Sequence, residues 1–362
     1  MHVEGHWGAA PLKTIRGPGL FIAQYLGQAP FFSDIDDVSG FAAQNGFKAL
    51  QVPVHDKAII DTERLEESGY IDSCCRAIER HGLVVSEIAA HRAGQLLAVH
   101  PVYDQIMDAF VPAPLRGVPD ARQRYADQEL RHAITLAARV GAGKLATLSG
   151  GLLWPFFYPY PPPPPGLTER GFAALAARWR PLLDHADKLG VDICFELHPG
   201  QDLHDGASFA AFLAQVDHHP RARLLYDPSH LRLQHLDYLG FIDRWHARIG
   251  AFHVKDAEFR PSPDRGVYGG YGDWIDRPGR FRSLGDGDID FAGIFSSLTR
   301  YGYDGWAVLE WECCLKNAFD GAREGAHFIA DHIILTTERG FDDGMRRSAP
   351  PDELDRMLGL KS

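Results

Sequence analysis

The sequence contains no long apolar run and few cysteines. No stretch of about 18 consecutive apolar residues occurs in the 362 positions, so no membrane span is expected. The five cysteines include the adjacent pairs Cys74-Cys75 and Cys313-Cys314, and none has the spacing of a zinc finger or a disulfide framework. The N-terminal residues lack the charged-then-apolar pattern of a secretory signal. We therefore expect a cytoplasmic protein.

Positive charge is also scarce. The chain carries 37 Lys and Arg against 48 Asp and Glu, which gives a formal net charge of −11 at pH 7. Binding to nucleic acid needs clustered Lys and Arg, so we expect no nucleic-acid partner. With 45% hydrophobic residues the chain can form a sizeable core, and its length suits one large domain or two ordinary ones.

A repeating unit of amphipathic helix, glycine and apolar strand organises most of the chain. Glycine directly after a helix adopts the left-handed conformation at little cost and ends the helix. Four predicted helices, at 36–45, 62–81, 120–140 and 168–189, stop at Gly46, Gly82, Gly141 and Gly190. Three more are predicted after Ser208, at 237–248 and after Asp290, with Ser208 and Asp290 as caps.

Eight strands accompany these helices, predicted at 20–25, 49–52, 83–88, 144–148, 191–196, 222–227, 249–254 and 305–310. Eight such units in about 330 residues predict an α/β fold, a (β/α)8 TIM barrel with long loops after strands 4 and 7. A doubly wound open sheet is the alternative, but no Gly-rich phosphate fingerprint follows the first strand. We predict one barrel domain over 1–340 and a polar C-terminal tail over 341–362, either frayed or an arm onto a partner subunit of a homo-oligomer.

Two aromatic loops interrupt the repeat. The first, 154–166, reads WPFFYPYPPPPPG, and its five consecutive prolines favour stiff polyproline II. The second, 256–288, is long and rich in glycine and aromatic residues, and loops of that length inside a domain are usually functional. We predict that Trp154, Tyr268, Tyr271 and Trp274 line or cover the mouth of the site. Packing against a partner subunit is the alternative.

Polar residues stand where the last four predicted strands end. In a barrel of this kind the chemistry lies at the C-terminal ends of the strands. Those ends supply Glu196, Asp227, His253 and Glu310. This mixed oxygen and nitrogen set suits one divalent ion such as Mn²⁺, Mg²⁺, Co²⁺ or Zn²⁺, and it lacks the thiolates of a structural zinc site. Further side chains predicted to bind substrate are His198, Asp202, His230 and Lys255 after these strands, His91 after the third strand, and Trp154 and Arg282 in the two long loops.

Four motifs carry a family resemblance. ELHPG, YDPSH, FHVKD and VLEWE, in this order, resemble the xylose isomerase-like TIM-barrel superfamily of sugar isomerases and epimerases, which includes the D-tagatose/D-psicose 3-epimerases and the endonuclease IV type of DNA repair enzyme. The resemblance implies the same four metal ligands and implies that His230 and Asp202 contact substrate, although Asp202 stands where the family usually has Glu. The segment 283–287, SLGDG, resembles the family's Leu-Gly-x-Gly turn.

One departure from the family bears on function. Endonuclease IV-like enzymes carry an additional Asp-x-His pair after the seventh-strand histidine, for further zinc ions. The sequence after His253 has no Asp-x-His. This absence favours a single metal ion and argues against phosphodiester cleavage.

The predicted chemistry is removal of a carbon-bound proton next to a metal-held carbonyl, through an enediolate. We predict a sugar isomerase or epimerase in which Glu196 and Glu310 form the acid/base pair, with Mn²⁺ as the favoured ion. Arg282, with Arg280, is the one close guanidinium pair near the site, so a small non-phosphorylated sugar is favoured. The alternatives are a lyase that eliminates the aglycone of 3-keto-sugar glycosides, a phosphodiesterase, and a non-enzymatic scaffold.

Overall fold

The computed structural model describes residues 13–27, 32–337, 341–345 and 348–360. Within them, eight parallel strands close into a barrel in chain order, and the last strand pairs with both the seventh and the first. The predicted (β/α)8 barrel is therefore confirmed. The strands are β1 Arg16–Phe21, β2 Ala49–Pro53, β3 Val84–Ala89, β4 Lys144–Thr147, β5 Asp192–Glu196, β6 Ala222–Tyr226, β7 Ile249–Val254, β8 Asp256–Phe259, β9 Gly279–Arg282 and β10 Trp306–Leu309, of which β8 and β9 lie outside the barrel.

Helices surround the barrel and bury their apolar faces against it. Trp179 illustrates this packing, because its buried ring contacts Phe195 edge-on at 4.7 Å and its Nε1 donates to the carbonyl of Ser149 at 2.9 Å. No described helix is long and apolar enough to cross a membrane. The helices are α1 Ile35–Gln44, α2 Tyr70–Glu79, α3 His91–Leu97, α4 Asp104–Met107, α5 Pro119–Arg139, α6 Leu167–Leu189, α7 Gly206–Gln215, α8 Pro228–Leu233, α9 Tyr238–Trp245, α10 Phe291–Arg300, α11 Ala318–His332 and α12 Pro351–Met357.

The glycine stops are confirmed, and some predicted boundaries are wrong. Each of the four predicted glycines has a positive φ, between 70° and 93°. The predicted helix 62–81 is broken at Gly69, where φ is 77°, so a 3-10 turn at Thr62–Arg64 precedes α2. The predicted strand 20–25 is displaced, since β1 ends at Phe21 and a 3-10 turn follows.

Helix capping differs from the prediction at one of two positions. Asp290 caps α10 as predicted, because its side chain accepts a hydrogen bond from Gly293 N. Ser208 does not cap α7. The cap is Asp205, which accepts from Ser208 N, while Ser208 Oγ bonds back to Asp205 in a reciprocal capping box.

The long segment after β7 is partly regular. β8 and β9 form an antiparallel hairpin in which Asp256 pairs with Arg282 and Phe259 with Gly279. The carboxylate of Asp256 accepts hydrogen bonds from Gly285 N at 3.0 Å and Gly287 N at 2.9 Å, so it clamps the SLGDG turn. These hydrogen bonds tie the hairpin to the turn that precedes α10.

The C-terminal residues form an exposed helix, α12. The division into a domain over 1–340 and a tail over 341–362 stays a prediction. Residues 1–12, which belong to the N-terminal segment without a secretory-signal pattern, lie outside the described residues.

Candidate metal and catalytic site

A buried cluster of carboxylates and imidazoles occupies the C-terminal end of the barrel. Glu196 ends β5, Asp227 follows β6, His253 lies near the end of β7 and Glu310 follows β10. Glu196, Asp227, Glu310 and the neighbouring His230 each offer a ligand atom, and these atoms lie within 4.8 Å of one another. His253 joins the same cluster, with its Nδ1 3.0 Å from Glu310 Oε2 and 3.5 Å from Glu196 Oε1.

The cluster fits a divalent cation. Glu196 Oε1 and Asp227 Oδ2 are buried and make no hydrogen bond among the described residues. Three buried carboxylates facing one point need positive charge, because an unpaired buried charge is costly. Oxygen ligands with imidazole suit Mn²⁺, Mg²⁺, Co²⁺ or Zn²⁺. Five side chains are thus available as ligands, one more than the predicted four.

The two glutamates of the cluster hold protons weakly. Burial by itself raises the pKa of Glu196, but the neighbouring imidazoles of His230, His253 and His91 lower it well below its ordinary value. Burial also raises the pKa of Glu310, but the positive charges of Lys255 and His253 have the larger effect. The pKa of Glu310 is therefore lowered as well. Both glutamates are therefore ionised at neutral pH.

Lys255 places a fixed positive charge inside the cluster. Its Nζ lies 2.9 Å from Glu310 Oε2, 3.0 Å from Glu312 Oε2 and 3.3 Å from Asp227 Oδ2. Burial lowers the pKa of Lys255, but these carboxylates raise it well above its ordinary value. Nζ is also 3.2 Å from His230 Nε2. Since an ammonium group only donates, His230 accepts this hydrogen bond at Nε2.

Gln51, a residue that sequence reasoning missed, holds the imidazole of His253 in its orientation. Its Nε2 lies 2.9 Å from Oε1 of Gln51, a buried side chain of β2. Gln51 is paired in register with buried Glu87 of β3, whose pKa is raised by burial. Because Nε2 of His253 bonds to Gln51, its other ring nitrogen, Nδ1, faces Glu196 and Glu310. The available signal was the presence of these two polar residues inside strands predicted to be buried.

The structure brings His91 and His198 to the cluster. His91 Nε2 lies 3.3 Å from Glu196 Oε2. The ring of His198 lies 4.1 Å, centre to centre, from that of His230. Burial lowers the pKa of His198 to about 3, so its imidazole is neutral at physiological pH. Both histidines line the cavity above the cluster.

Asp202, Trp154 and Arg282 are not brought to the cluster. The carboxylate of Asp202 accepts hydrogen bonds from the backbone N–H groups of Leu152, Leu153 and Trp154, so it anchors the loop after β4. Trp154 stacks on Phe157 at 4.6 Å and lines a neighbouring cavity together with Asp202. Arg282 is bound to Glu258 at 2.8 Å. These contacts give the three side chains structural partners, and their contacts with substrate stay predictions.

Two cavities with part of their lining in common open at this end of the barrel; the one lined by Glu196 and Glu310 is called the inner cavity and the other the outer cavity. The inner cavity has a volume of about 230 Å³, and the outer cavity about 420 Å³. Both are lined by Gln24, His198 and Glu312. Sequence reasoning assigned no role to Gln24 or Glu312, although Gln24 Nε2 donates to Glu310 Oε1 at 2.9 Å. Gln24 lies just after β1, where the strand boundary was misplaced.

The two aromatic loops meet beside these cavities. Tyr268 contacts the rings of Phe157 and Tyr158, at 6.4 and 5.9 Å between ring centres. Trp274 lines the outer cavity, whereas Tyr271 is fully exposed and lines none of the cavities described above. The loops therefore approach each other, and Trp274 is the predicted loop aromatic that reaches the wall of the outer cavity.

The chain forms a closed (β/α)8 barrel with a carboxylate–imidazole cluster at its C-terminal end. It is therefore a TIM-barrel protein with a candidate divalent-metal site. The model of the family described as "Xylose isomerase-like TIM barrel" matches residues 40–332, which is most of the chain. The chain belongs to this family.

Curated relatives by sequence include inosose dehydratases. That of Lacticaseibacillus casei is 29% identical over 153 residues, covering 41% of this chain and 49% of the relative. That of Klebsiella pneumoniae strain 342 is 29% identical over 174 residues, covering 46% and 57%. The matched stretch thus spans about half the length of these curated relatives.

Solved structures share the fold at low sequence identity. An L-ribulose 3-epimerase aligns with a TM-score of 0.59 at 18% identity, covering 89% of this chain and 94% of that chain. A probable 3-DHS dehydratase from Bacillus anthracis aligns with a TM-score of 0.60 at 16% identity, covering 87% and 99%. A 3-keto-D-glucoside 4-epimerase from E. coli aligns with a TM-score of 0.59 at 15% identity, covering 86% and 98%.

Proposed function

We propose that this protein is a divalent-metal-dependent isomerase or epimerase of a small keto-sugar, acting by removal of a proton next to a carbonyl. One observation carries the proposal. The carboxylates of Glu196 and Glu310, from strands three positions apart around the barrel, both face Nδ1 of His253 in a single buried cluster. Two ionised carboxylates at one cation site can serve both as ligands and as proton acceptors.

Four residues would bind the metal ion, and two of these would also transfer protons. Glu196, Asp227, His253 and Glu310 would hold one divalent ion, with Mn²⁺ the best match to the mixed donor set. Such an ion polarises a carbonyl and its neighbouring hydroxyl, and so acidifies the carbon-bound proton between them. Glu310 would remove that proton, and Glu196, which is ionised at rest, would pass a proton taken up from solvent to the other face.

The remaining side chains bind and orient the substrate. Lys255 donates hydrogen bonds from a buried site between Glu310 and Glu312, which places a donor where negative charge develops. His198 and His91 line the same inner cavity and offer further partners for sugar hydroxyls. Asp202 and Arg282 contribute through the loop and the hairpin that they hold.

Elimination is the second candidate, and Glu312 favours it. This residue lines both cavities, and burial raises its pKa, so it retains a proton more readily than an exposed glutamate. A protonated Glu312 could protonate a β leaving group after Glu310 has removed the carbon-bound proton. The curated relatives named inosose dehydratases support the same outcome.

A substrate screen separates these outcomes. Free ketoses, 3-keto-glycosides and an inosose are incubated with protein and Mn²⁺, and products are identified by NMR spectroscopy. An epimer with unchanged mass supports the isomerase, and loss of water or an aglycone supports the lyase. Elemental analysis is expected to find about one ion per chain. Cleavage of abasic DNA with three bound ions would instead support the phosphodiesterase. If no metal is bound and no substrate is turned over, the result would support the non-enzymatic scaffold.

A further inference from the structure

An aromatic cavity opens beside the metal cluster, and nothing in the proton-transfer chemistry uses it. The outer cavity is lined by Gln24, His198, Trp274, Phe281, Trp311, Glu312, Cys313 and Cys314. We propose that it is a subsite for a second ring, linked to the reacting sugar through a glycosidic atom. The substrate is then a two-ring molecule and not a free monosaccharide. This inference rests on the proposed function for the identity of the reacting ring.

Two of the aromatic walls come from the segment after β7. Trp274 lies on a 3-10 turn and Phe281 lies in β9, with their ring centres 4.7 Å apart and their planes at 34°. Arg277 lies 4.7 Å from the centre of the Trp274 ring. Trp274 nevertheless remains 45% exposed. A large aromatic side chain held in place and left exposed at a cavity offers apolar surface to a ligand.

The third aromatic wall comes from the end of the barrel itself. Trp311 follows β10, and its Nε1 donates to Ser283 Oγ at 3.1 Å. A Cβ on Gly321 would lie 2.1 Å from Trp311 Nε1, so glycine is needed for the indole to lie against α11. The ring is therefore fixed before any ligand arrives, and little side-chain entropy is lost on binding.

The sizes of the cavities favour a two-ring ligand. Pockets for small ligands typically measure about 300–1,000 Å³. The inner cavity, at about 230 Å³, falls below that range, whereas the outer cavity, at about 420 Å³, falls within it. A single sugar held at the metal cluster would leave the larger, aromatic cavity filled only with water.

The junction between the cavities is polar, as a glycosidic linkage requires. It is formed by Gln24, His198 and Glu312, and each is tied to the metal cluster. Gln24 bonds to Glu310, Glu312 pairs with Lys255, and His198 contacts His230. A linking oxygen at this junction would find hydrogen-bonding partners, while the ring beyond it would find aromatic walls.

Every ring that suits the outer cavity has an exposed apolar face. An aryl aglycone and a second sugar both have such a face, the sugar through its C–H bonds. Three glycosides that carry no keto group separate these sources: phenyl β-D-glucopyranoside, cellobiose and methyl β-D-glucopyranoside. Their binding is measured by calorimetry on the Mn²⁺-loaded protein. Because no turnover is needed, failure of this inference is distinguishable from failure of the proposed function.

We expect phenyl glucoside, cellobiose or both to bind about tenfold more tightly than methyl glucoside, as one aromatic contact with burial of a ring allows. Trp274→Ala should reduce that preference to within twofold, and Trp274→Phe should retain most of it. Tyr271→Ala is the matched control, since Tyr271 lies on the same loop and lines none of the described cavities; it should keep the full preference.

Equal binding of all three glycosides to the unmodified protein would overturn the inference. So would a tenfold preference that survives Trp274→Ala, because the second ring would then lie elsewhere. The relative affinities of phenyl glucoside and cellobiose decide between an aryl ring and a second sugar.

Discussion

Replacement of Gln51 by Met tests how the protein orients His253, the imidazole proposed as a metal ligand. Gln51 Oε1 is the partner of His253 Nε2 at 2.9 Å, and both side chains are buried. Met has a similar length and volume but offers no comparable acceptor. The buried N–H would then be unpaired, at a cost of about 1–3 kcal/mol, and neutral His253 would be free to place its proton on Nδ1, the atom that faces the carboxylates.

The expected magnitude follows from the loss of this partner. Removing the hydrogen-bond partner of a metal-bound histidine typically weakens metal affinity by about 10- to 100-fold. Calorimetric titration of chelator-treated protein with Mn²⁺ measures the change directly. Gln51→Glu retains an acceptor at the same position and should restore most of the affinity.

An affinity of Gln51→Met within twofold of the unmodified protein would refute the reasoning. It would mean that the Glu196 and Glu310 carboxylates alone set the orientation of His253. A loss of affinity in Gln51→Met that is not restored in Gln51→Glu would show that a hydrogen-bond acceptor at position 51 does not control metal affinity.

Three further predictions concern the supports of the site. Asp202→Asn should accelerate hydrogen exchange of the amides at 152–154 and leave Mn²⁺ affinity unchanged; slower substrate binding with unaltered exchange would return Asp202 to a substrate-contacting role. Asp256→Asn should lower the free energy of unfolding in urea by about 1–3 kcal/mol, because Oδ2 accepts from the two glycine N–H groups and Oδ1 from Ala257 N, and an amide has only one accepting oxygen; an unchanged value would show that the clamp adds no stability. The metal-free protein should lose thermal stability as pH rises from 6.5 towards 10. Burial lowers the pKa of His253, but Glu310 and Glu196 raise it from 6.5 to about 10. The charged imidazole therefore contributes its full stabilisation below pH 6.5, and this contribution is lost as the pH rises through about 10. A His253→Asn variant should lack this pH dependence.

The barrel was predictable from local patterns. Each helix-glycine-strand unit is specified by a short stretch of chain, and Gly46, Gly82, Gly141 and Gly190 end their helices because of their own conformational freedom. The clustering of the strand-end residues was predictable for the same reason, since parallel strands of a barrel place their C-terminal ends together. Neither inference required knowledge of contacts between distant segments.

Contacts across the fold were not predictable. Asp202 folds back onto the loop at 152–154, about fifty residues earlier in the chain, and Arg282 finds Glu258 across the β8–β9 hairpin. The sequence shows only polar residues near a site in both cases. Distance along the chain gives no indication of which partner a carboxylate or guanidinium will choose.

Helix α11 was missed for a different physical reason. Gly321 and Gly325 lower its intrinsic helix propensity. The structure shows why glycine is present: a Cβ at Gly321 would collide with Trp311, and one at Gly325 would approach Leu309 to 2.8 Å. Close packing against the barrel outweighs local propensity at these positions.

The measurement that tests the central claim most directly is deuterium incorporation in D₂O. The substrate found in the screen is incubated with Mn²⁺-loaded protein, and NMR spectroscopy follows exchange at the carbon next to the carbonyl. We expect deuterium in product or in recovered substrate. Glu310→Gln keeps the shape and an oxygen ligand but removes the base, so exchange should fall by about 10²- to 10⁴-fold while one metal ion stays bound. Full exchange in that variant would contradict the account and remove Glu310 from the chemistry.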